Sequence, residues 1–282
     1  MRIQHNIAAM NSYRNFGINN SKMSKNLEKL SSGYAINRAG DDAAGLAVSE
    51  KMRAEISGLE AGMKNAKDAI GMIQTAEGAL TEVHDMLNRM YYLAEQSANG
   101  TYASIDRGNL QMEFDALQKE INRIGKTADF NGTKLFTGST GTLLKGSTVM
   151  VIGDLGYGGA SNKLKLSGFS ITSLNTTALS ISSAKISTQT SAQSAVTSIK
   201  DAIDKVSKVR GKLGAYQNRI EHTVNNLGVM KENITDAESR IRDTDVAEEM
   251  MKFTKNNIMN QAAQAMLAQS NQLPQGVLQL LQ

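Results

Sequence analysis

Three histidines, His5, His84 and His222, supply the only imidazoles for acid–base work or metal binding. They are isolated in sequence. No HExxH occurs, and none stands at helical spacing from another, so a metal site would need three distant side chains to converge. Ordinary placement on exposed helix surface accounts for them better. Cysteine is absent, which removes thiolate nucleophiles, Cys-ligated metals and any disulfide framework. The run Gly153-Asp154-Leu155-Gly156-Tyr157-Gly158-Gly159 lacks the order of a phosphate loop. Gly211-Lys212 is followed by Leu213 rather than the hydroxyl residue that Mg²⁺ requires. Adjacent carboxylates occur at Asp41-Asp42 and Glu248-Glu249; the first pair opens a helical pattern, where capping and the helix dipole explain it without catalysis. No GxSxG lies near a histidine. The chain reads as a non-enzyme, with no catalytic residues, no cofactor and no metal site.

The composition points the same way. The 282 residues carry 31 Lys and Arg against 27 Asp and Glu, a net charge of +4, spread along the chain without a basic or aromatic–basic cluster. Nucleic acid is therefore not expected as a partner. Pro274 is the single proline, tryptophan is absent and aromatics make up 5%. Such a chain suits long uninterrupted helices, since an interior proline costs about 3 kcal/mol. Hydrophobic residues make up 40% and the mean hydropathy is −0.32. The opening MRIQHNIAAMNSYRNFG is amphipathic and lacks the apolar stretch of a cleaved signal. No apolar run reaches the roughly 18 residues of a membrane span, so no membrane partner is expected. Taken alone, this places the chain in the cytoplasm.

The elements that would position any site are helical. From Asp42 to Ala98, Met52, Ile56, Leu59, Met63, Ala66, Ile70 and Ile73 recur at alternating steps of four and three. Leu80, Val83, Leu87, Met90 and Ala94 continue the stripe. This 3.5-residue period is the seam of helices wound in a left-handed bundle. Asp41 or Asp42 caps its start and Asn99-Gly100 ends it. A second segment carries Leu110, Phe114, Leu117, Ile121 and Ile124. A third carries Val196, Ile199, Ile203, Val206, Leu213, Ile220, Val224, Leu227, Ile234 and Ile241. Between them, Asp129-Phe130-Asn131-Gly132 reads as a turn. Residues 148–152, 163–166 and 178–181 read as short strands of β-hairpins. The expected fold is mainly α, an elongated antiparallel helical bundle with coiled-coil-like terminal helices and a small central β-hairpin region. About two domains fit the length.

The two ends carry weaker stripes. Ile3, Ile7, Met10, Phe16, Met23, Leu27 and Leu30 lie in the first, and Val246, Met250, Phe253, Ile258, Met266, Leu267 and Leu273 in the second, among many Asn, Gln, Ser and Ala. Neither end is expected to fold alone. Subunit packing explains the methionines of the tail better than a peptide-binding groove.

Several motifs resemble the bacterial flagellins. NIAAMN at Asn6–Asn11, Leu30-Ser31-Ser32-Gly33, Ile36-Asn37, AGDDAAGLA at Ala39–Ala47, LAEQSAN at Leu93–Asn99 and Phe130-Asn131-Gly132 are similar to that family's N-terminal region. LGAYQNR at Leu213–Arg219, ESRIRD at Glu238–Asp243 and AMLAQSNQLP at Ala265–Pro274 are similar to its C-terminal region. The resemblance covers everything but the middle, which is short, so large outer domains are expected to be absent.

The resemblance implies a structural subunit that polymerises into the flagellar filament for motility. It also implies export in unfolded form by the flagellar type III system, which corrects the cytoplasmic reading to a secreted, extracellular one without a cleaved signal. Residues 1–41 and 243–282 would form inner-tube helices, 42–128 and 183–242 the surrounding bundle shell, and 129–182 the hairpin region. The assembly set is Ile3, Ile7, Met10, Leu27, Leu30, Val246, Met250, Phe253, Ile258, Met266, Leu267, Leu273, Leu280 and Leu281. Partners implied are further copies of the chain, an export chaperone and a cap protein. Toll-like receptor 5 is implied through Arg89, Leu93, Gln96 and Glu113, with Arg89 and Glu113 able to make charge-assisted bonds and Leu93 to fill an apolar pocket. Met90-Tyr91-Tyr92 stands where strongly stimulating members often carry Val-Arg-Glu. The tail Val277-Leu278-Gln279-Leu280-Leu281 is similar to the end sensed by NAIP-type cytosolic receptors, although inner-tube packing explains it equally. The alternative reading is a hook–filament junction protein or another coiled-coil secretion component.

Overall fold

The computed structural model describes residues 6–136, 149–151, 163–165 and 174–280, with only the backbone course given for 149–150, 164–165 and 273–280. Ile3 and Leu281 of the expected assembly set lie outside the described residues, as do the side chains of Leu273 and Leu280. Five helices are described: α1 (Ile7–Ser32), α2 (Ala43–Ala98), α3 (Ser104–Thr127), α4 (Gln189–Arg242) and α5 (Val246–Leu280). Two short hairpins pair β1 (Asp129–Phe130) with β2 (Thr133–Lys134) and β3 (Val149–Val151) with β4 (Lys163–Lys165), both antiparallel. The mainly helical fold with a small β region is thus as expected. The chain divides into two compact units, residues 1–54 with 232–282, and residues 55–231.

The unit of residues 55–231 holds the hydrophobic core. Along α2 the buried seam runs through Leu59, Gly62, Ala66, Ala69, Ile73, Ala76, Leu80, Val83, Leu87, Met90, Ala94 and Ser97, with Met72 and Leu93 buried beside it. From Ala66 onward the steps of three and four are unbroken, the geometry of knobs packed into holes. Along α4 the matching positions are Ala192, Ala195, Ile199, Ala202, Val206, Val209, Leu213, Ile220 and Leu227. Phe114 and Ile121 of α3 are also fully buried. The pairs Glu77–Arg210 and Glu60–Lys231 fix α2 and α4 as antiparallel, and Arg89–Glu113 does the same for α2 and α3. The sequence stripe places Met63, Ile70, Val196 and Ile203 on the seam; they are only half-buried. The small residues Ala69, Ala195 and Ala202 occupy the deepest line instead. Close helix approach favours the smaller side chain there.

The segment from Leu174 to Thr188 is bound to the bundle by side chains rather than by a sheet. Asn122 accepts from the Thr176 backbone N–H at 2.9 Å, and Gln118 donates to the Ile181 carbonyl at 2.8 Å. Ser97 donates to the Ile186 carbonyl. Residues 178–181, expected as a strand, form a turn: Ile181 N–H donates to the Thr176 carbonyl at 2.8 Å, and Ser180 has φ 66°. Leu174, Leu179, Ile181 and Ile186 point into the core. The alternation read as a strand comes from this turn burying two of its four side chains. Asn131 and Gly132, at φ 49° and 75°, make the tight turn between β1 and β2, where left-handed residues match strand twist.

The unit of residues 1–54 with 232–282 is built from capped helix ends. Asn6 Oδ1 accepts from Ala9 N–H at α1, Asp42 Oδ1 from Ala44 and Gly45 N–H at α2, and Asp245 Oδ1 from Ala247 and Glu248 N–H at α5. Asp41 instead accepts from the Asn37 and Arg38 N–H groups. The Arg38 N–H, then that of Asn37, hold the Asp41 carboxyl below its ordinary range. Gly33 ends α1 in the left-handed conformation, φ 75°, with its N–H on the Lys29 carbonyl.

Candidate assembly and recognition surfaces

Helices α1 and α5 lie antiparallel, with Asn6 Nδ2 donating to the Ser270 carbonyl at 2.8 Å. The residues of α1 that turn inward are Ala9, Ser12, Phe16, Asn19, Met23, Asn26 and Leu30. Those of α5 are Glu249, Phe253, Asn256, Asn260, Ala263, Leu267 and Ser270. Both sets follow steps of three and four, a coiled-coil seam. The seam is narrow and mixes large apolar with small and polar residues, and the small ones let Cα atoms of the two helices come within 8 Å. Asn26 sits near the end of the seam where α5 begins. With its amide turned to satisfy both ends, it donates to Glu249 Oε1 at 3.3 Å and the Lys22 carbonyl at 2.7 Å, and accepts from Phe253 N–H at 3.2 Å. Polar residues at seam positions fix register at a cost in stability.

Most of the large apolar side chains are elsewhere. Ile7, Met10, Tyr13, Ile18 and Leu27 on α1, and Val246, Met250, Met251, Ile258, Met259 and Met266 on α5, are exposed. At 100° per residue, Met251 and Ile258 stand on the side of α5 opposite its seam. Met250, Met251, Thr254, Lys255, Ile258 and Met259 line a shallow groove there. Of the expected assembly residues, the structure places Leu30, Phe253 and Leu267 half-buried on the α1–α5 seam. It places Ile7, Met10, Leu27, Val246, Met250, Ile258 and Met266 on the outside. Met251 and Met259, tail methionines that the sequence ties to subunit packing, are exposed as well; the sequence reading leaves out Tyr13 and Ile18. A helix with apolar groups on two opposite sides has no single stripe to find.

A tight junction joins these helices to the beginning of α2 and the end of α4. Ala35 N–H donates to the Arg242 carbonyl at 2.7 Å and Thr244 N–H to the Gly33 carbonyl at 3.0 Å. Tyr34 and Asp243 form an isolated antiparallel bridge. The Arg242 guanidinium, on a side chain only 12% exposed, donates to Glu50 at 3.2 Å.

The recognition residues lie on α2 and α3. Arg89 makes a two-pronged bond to Glu113, Nε to Oε1 at 2.7 Å and Nη2 to Oε2 at 3.1 Å. Its guanidinium lies 5.4 Å from the Tyr92 ring centroid. Hydrogen bonding to Arg89 holds the Glu113 carboxyl below its ordinary range. Gln96 is half-buried and donates to the Tyr102 hydroxyl at 2.7 Å. Leu93 has no exposed surface; it packs in the core. The expectation that it fills a partner's apolar pocket is corrected: Leu93 stands beside the seam residues Met90, Ala94 and Ser97 and is buried with them, and Tyr92, 58% exposed, presents the apolar area instead. His222 is exposed on α4 and His84 half-buried on α2, while His5 lies outside the described residues.

Residues 3–140 match the model of the bacterial flagellin N-terminal helical region, and residues 196–281 that of the bacterial flagellin C-terminal helical region. A flagellin of Halalkalibacterium halodurans is 50% identical over 281 residues, covering all of both chains. A flagellin of Bacillus subtilis is 47% identical over 307 residues, again covering both chains. Among solved structures, a putative flagellar hook-associated protein from Vibrio parahaemolyticus shares the fold, with a TM-score of 0.58 at 15% identity, over 72% of this chain and all of that one. Full-length identity at this level, together with both family regions in order, is decisive: the chain belongs to the bacterial flagellin family.

Proposed function

We propose that this flagellin polymerises through the outward faces of α1 and α5, which become the inner tube of the filament. Residues 42–128 and 183–242 form the shell around that tube, and 129–182 the hairpin region outside it. One observation carries this reading. The α1–α5 seam takes up only Phe16, Met23, Leu30, Phe253 and Leu267 among its Asn, Ser, Ala and Glu residues, while eleven other large apolar side chains of the two helices stay exposed. Burying that outward surface against other copies is favourable by about 25 cal/mol per Å². Heterologous contacts that do not close propagate a helix. Seeded growth watched by electron microscopy tests it: the full chain extends filaments without limit, and a chain lacking residues 250–282 stays folded and fails to add. Growth by the truncated chain would overturn the assignment.

The subunit is exported unfolded through the flagellar type III channel, aided by an export chaperone and placed under the cap protein. A chain free of cysteine refolds outside the cell without redox chemistry. Toll-like receptor 5 is contacted by Arg89, Gln96 and Glu113, with Leu93 holding that helix face from beneath. The Arg89–Glu113 bond must be shared with, or surrendered to, the receptor. The apolar tail near Leu280 serves inner-tube packing first and NAIP-type receptors second. The likeness in fold to a hook-associated protein keeps a junction role as the second reading. Junction proteins stop after a few turns, so unlimited growth on seeds separates the two.

A further inference from the structure

We propose that the outward methionines of α5, Met250, Met251, Met259 and Met266, are oxidation sites through which peroxide-class oxidants block addition of the subunit to a filament. The inference rests on the assembly reading above. Met251 and Met266 are 67% and 63% exposed, whereas Met72 and Met90 in the bundle are 8% and 0% exposed. The free subunit therefore offers its oxidisable thioethers at the surface proposed to be buried between copies. Met250, Met251 and Met259 line one groove with Ile258, so a change at any of them alters a shared apolar surface.

The chemistry is oxygen-atom transfer. A sulfur lone pair attacks the distal oxygen of hydrogen peroxide, the O–O bond breaks, and the departing hydroxide takes a proton and leaves as water. Sulfur is oxidised by two electrons to the sulfoxide and the peroxide is reduced. The product is polar and chiral. It cannot enter an apolar contact without leaving its oxygen unpaired. Assembly in turn hides the same sulfurs, so filament-bound copies are protected. Sulfoxide reductases of the A and B types reverse the change.

The test treats full-length monomer and preformed filament with hydrogen peroxide, locates sulfoxide by peptide mass spectrometry, and measures seeded growth. Monomer is expected to carry sulfoxide at these four positions and to grow at least tenfold more slowly, with growth restored by the two reductases together. Filament is expected to carry it at Met112 and Met230 but not on α5. A chain with Met250→Leu, Met251→Leu, Met259→Leu and Met266→Leu keeps volume and apolarity. Measured against its own untreated growth and not against the parent's, it should lose less than twofold after the same treatment. Undiminished growth of sulfoxide-bearing monomer, or no recovery after enzymatic reduction, would overturn the proposal; so would equal loss in the leucine chain. Failure of untreated monomer to grow on seeds would instead strike the assembly reading, and this inference with it.

Discussion

The Arg242 guanidinium lies 4.8 Å from the centroid of the Tyr34 ring. The same guanidinium donates to Glu50, so one side chain ties the end of α4 to the α1–α2 connection and to the first turns of α2. A planar fork does this by stacking and bonding at once, which an ammonium cannot reproduce. Arg242→Lys is expected to lose about 1 kcal/mol of stability and Arg242→Ala about 2 kcal/mol, because Ala also removes the packing of a side chain only 12% exposed, whereas Glu50, 59% exposed, stays solvated. Urea denaturation measures the loss, and amide exchange at Ala35 and Thr244 should accelerate in both variants.

Gly125 is buried where α3 meets the Leu174 backbone. A Cβ there would stand 1.7 Å from the Leu174 carbonyl oxygen. Gly125→Ala should therefore cost about 2 kcal/mol or more, through displacement of the 174–188 segment. Gly108, on the same helix with open space around it, is the control. Gly108→Ala should stabilise by about 0.5–1 kcal/mol. Thermal unfolding of the two variants should shift in opposite directions.

Asn26 and Glu249 are coupled across the terminal seam. Asn26→Leu removes a donor from a carboxylate on a residue only 6% exposed, and should destabilise the α1–α5 pair by about 1–3 kcal/mol. Replacing both with leucine removes the buried carboxylate, whose other partner is Lys252 Nζ at 3.5 Å, and should recover most of that loss. A double-mutant cycle by denaturation reads the coupling. Additive single effects would mean the contact contributes nothing.

The Arg89–Glu113 bond sets a pH dependence. Glu113 is lowered from 4.5 by hydrogen bonding to Arg89, so its contribution is present above 4.5 and fades as pH falls through the lower folded value. Both side chains are partly exposed, at 50% and 43%, so solvent screens the bond and the contribution is small. Carboxyl NMR titration should place the Glu113 midpoint below 4.5 in the parent and move it up in Arg89→Ala.

The helical frame was legible because burial in residues 55–231 follows one heptad seam that large side chains mark from Leu80 to Ala94. Ala69, Ala195 and Ala202 escaped notice because alanine scores weakly as apolar, although only alanine lets the helices close at those points. Residues 178–181 misled because a tight turn also alternates buried and exposed side chains. The terminal helices were the least legible. Their contacts within the chain mix Phe16, Met23, Leu30, Phe253 and Leu267 with Asn, Ser, Ala and Glu, and most of their large apolar groups stay exposed, so a template built on burial inside one molecule fits them only in part. Leu93 was recognised as a motif residue, but its inward direction follows from its neighbours on α2.

Amide hydrogen exchange of α1 and α5, compared between dilute monomer and assembled filament, tests the central claim most directly. The account predicts rapid exchange across residues 7–32 and 246–280 in the monomer and slowing by at least a hundredfold in the filament, while the core of residues 55–231 is protected in both. Equal protection of the terminal helices in the two states would contradict it.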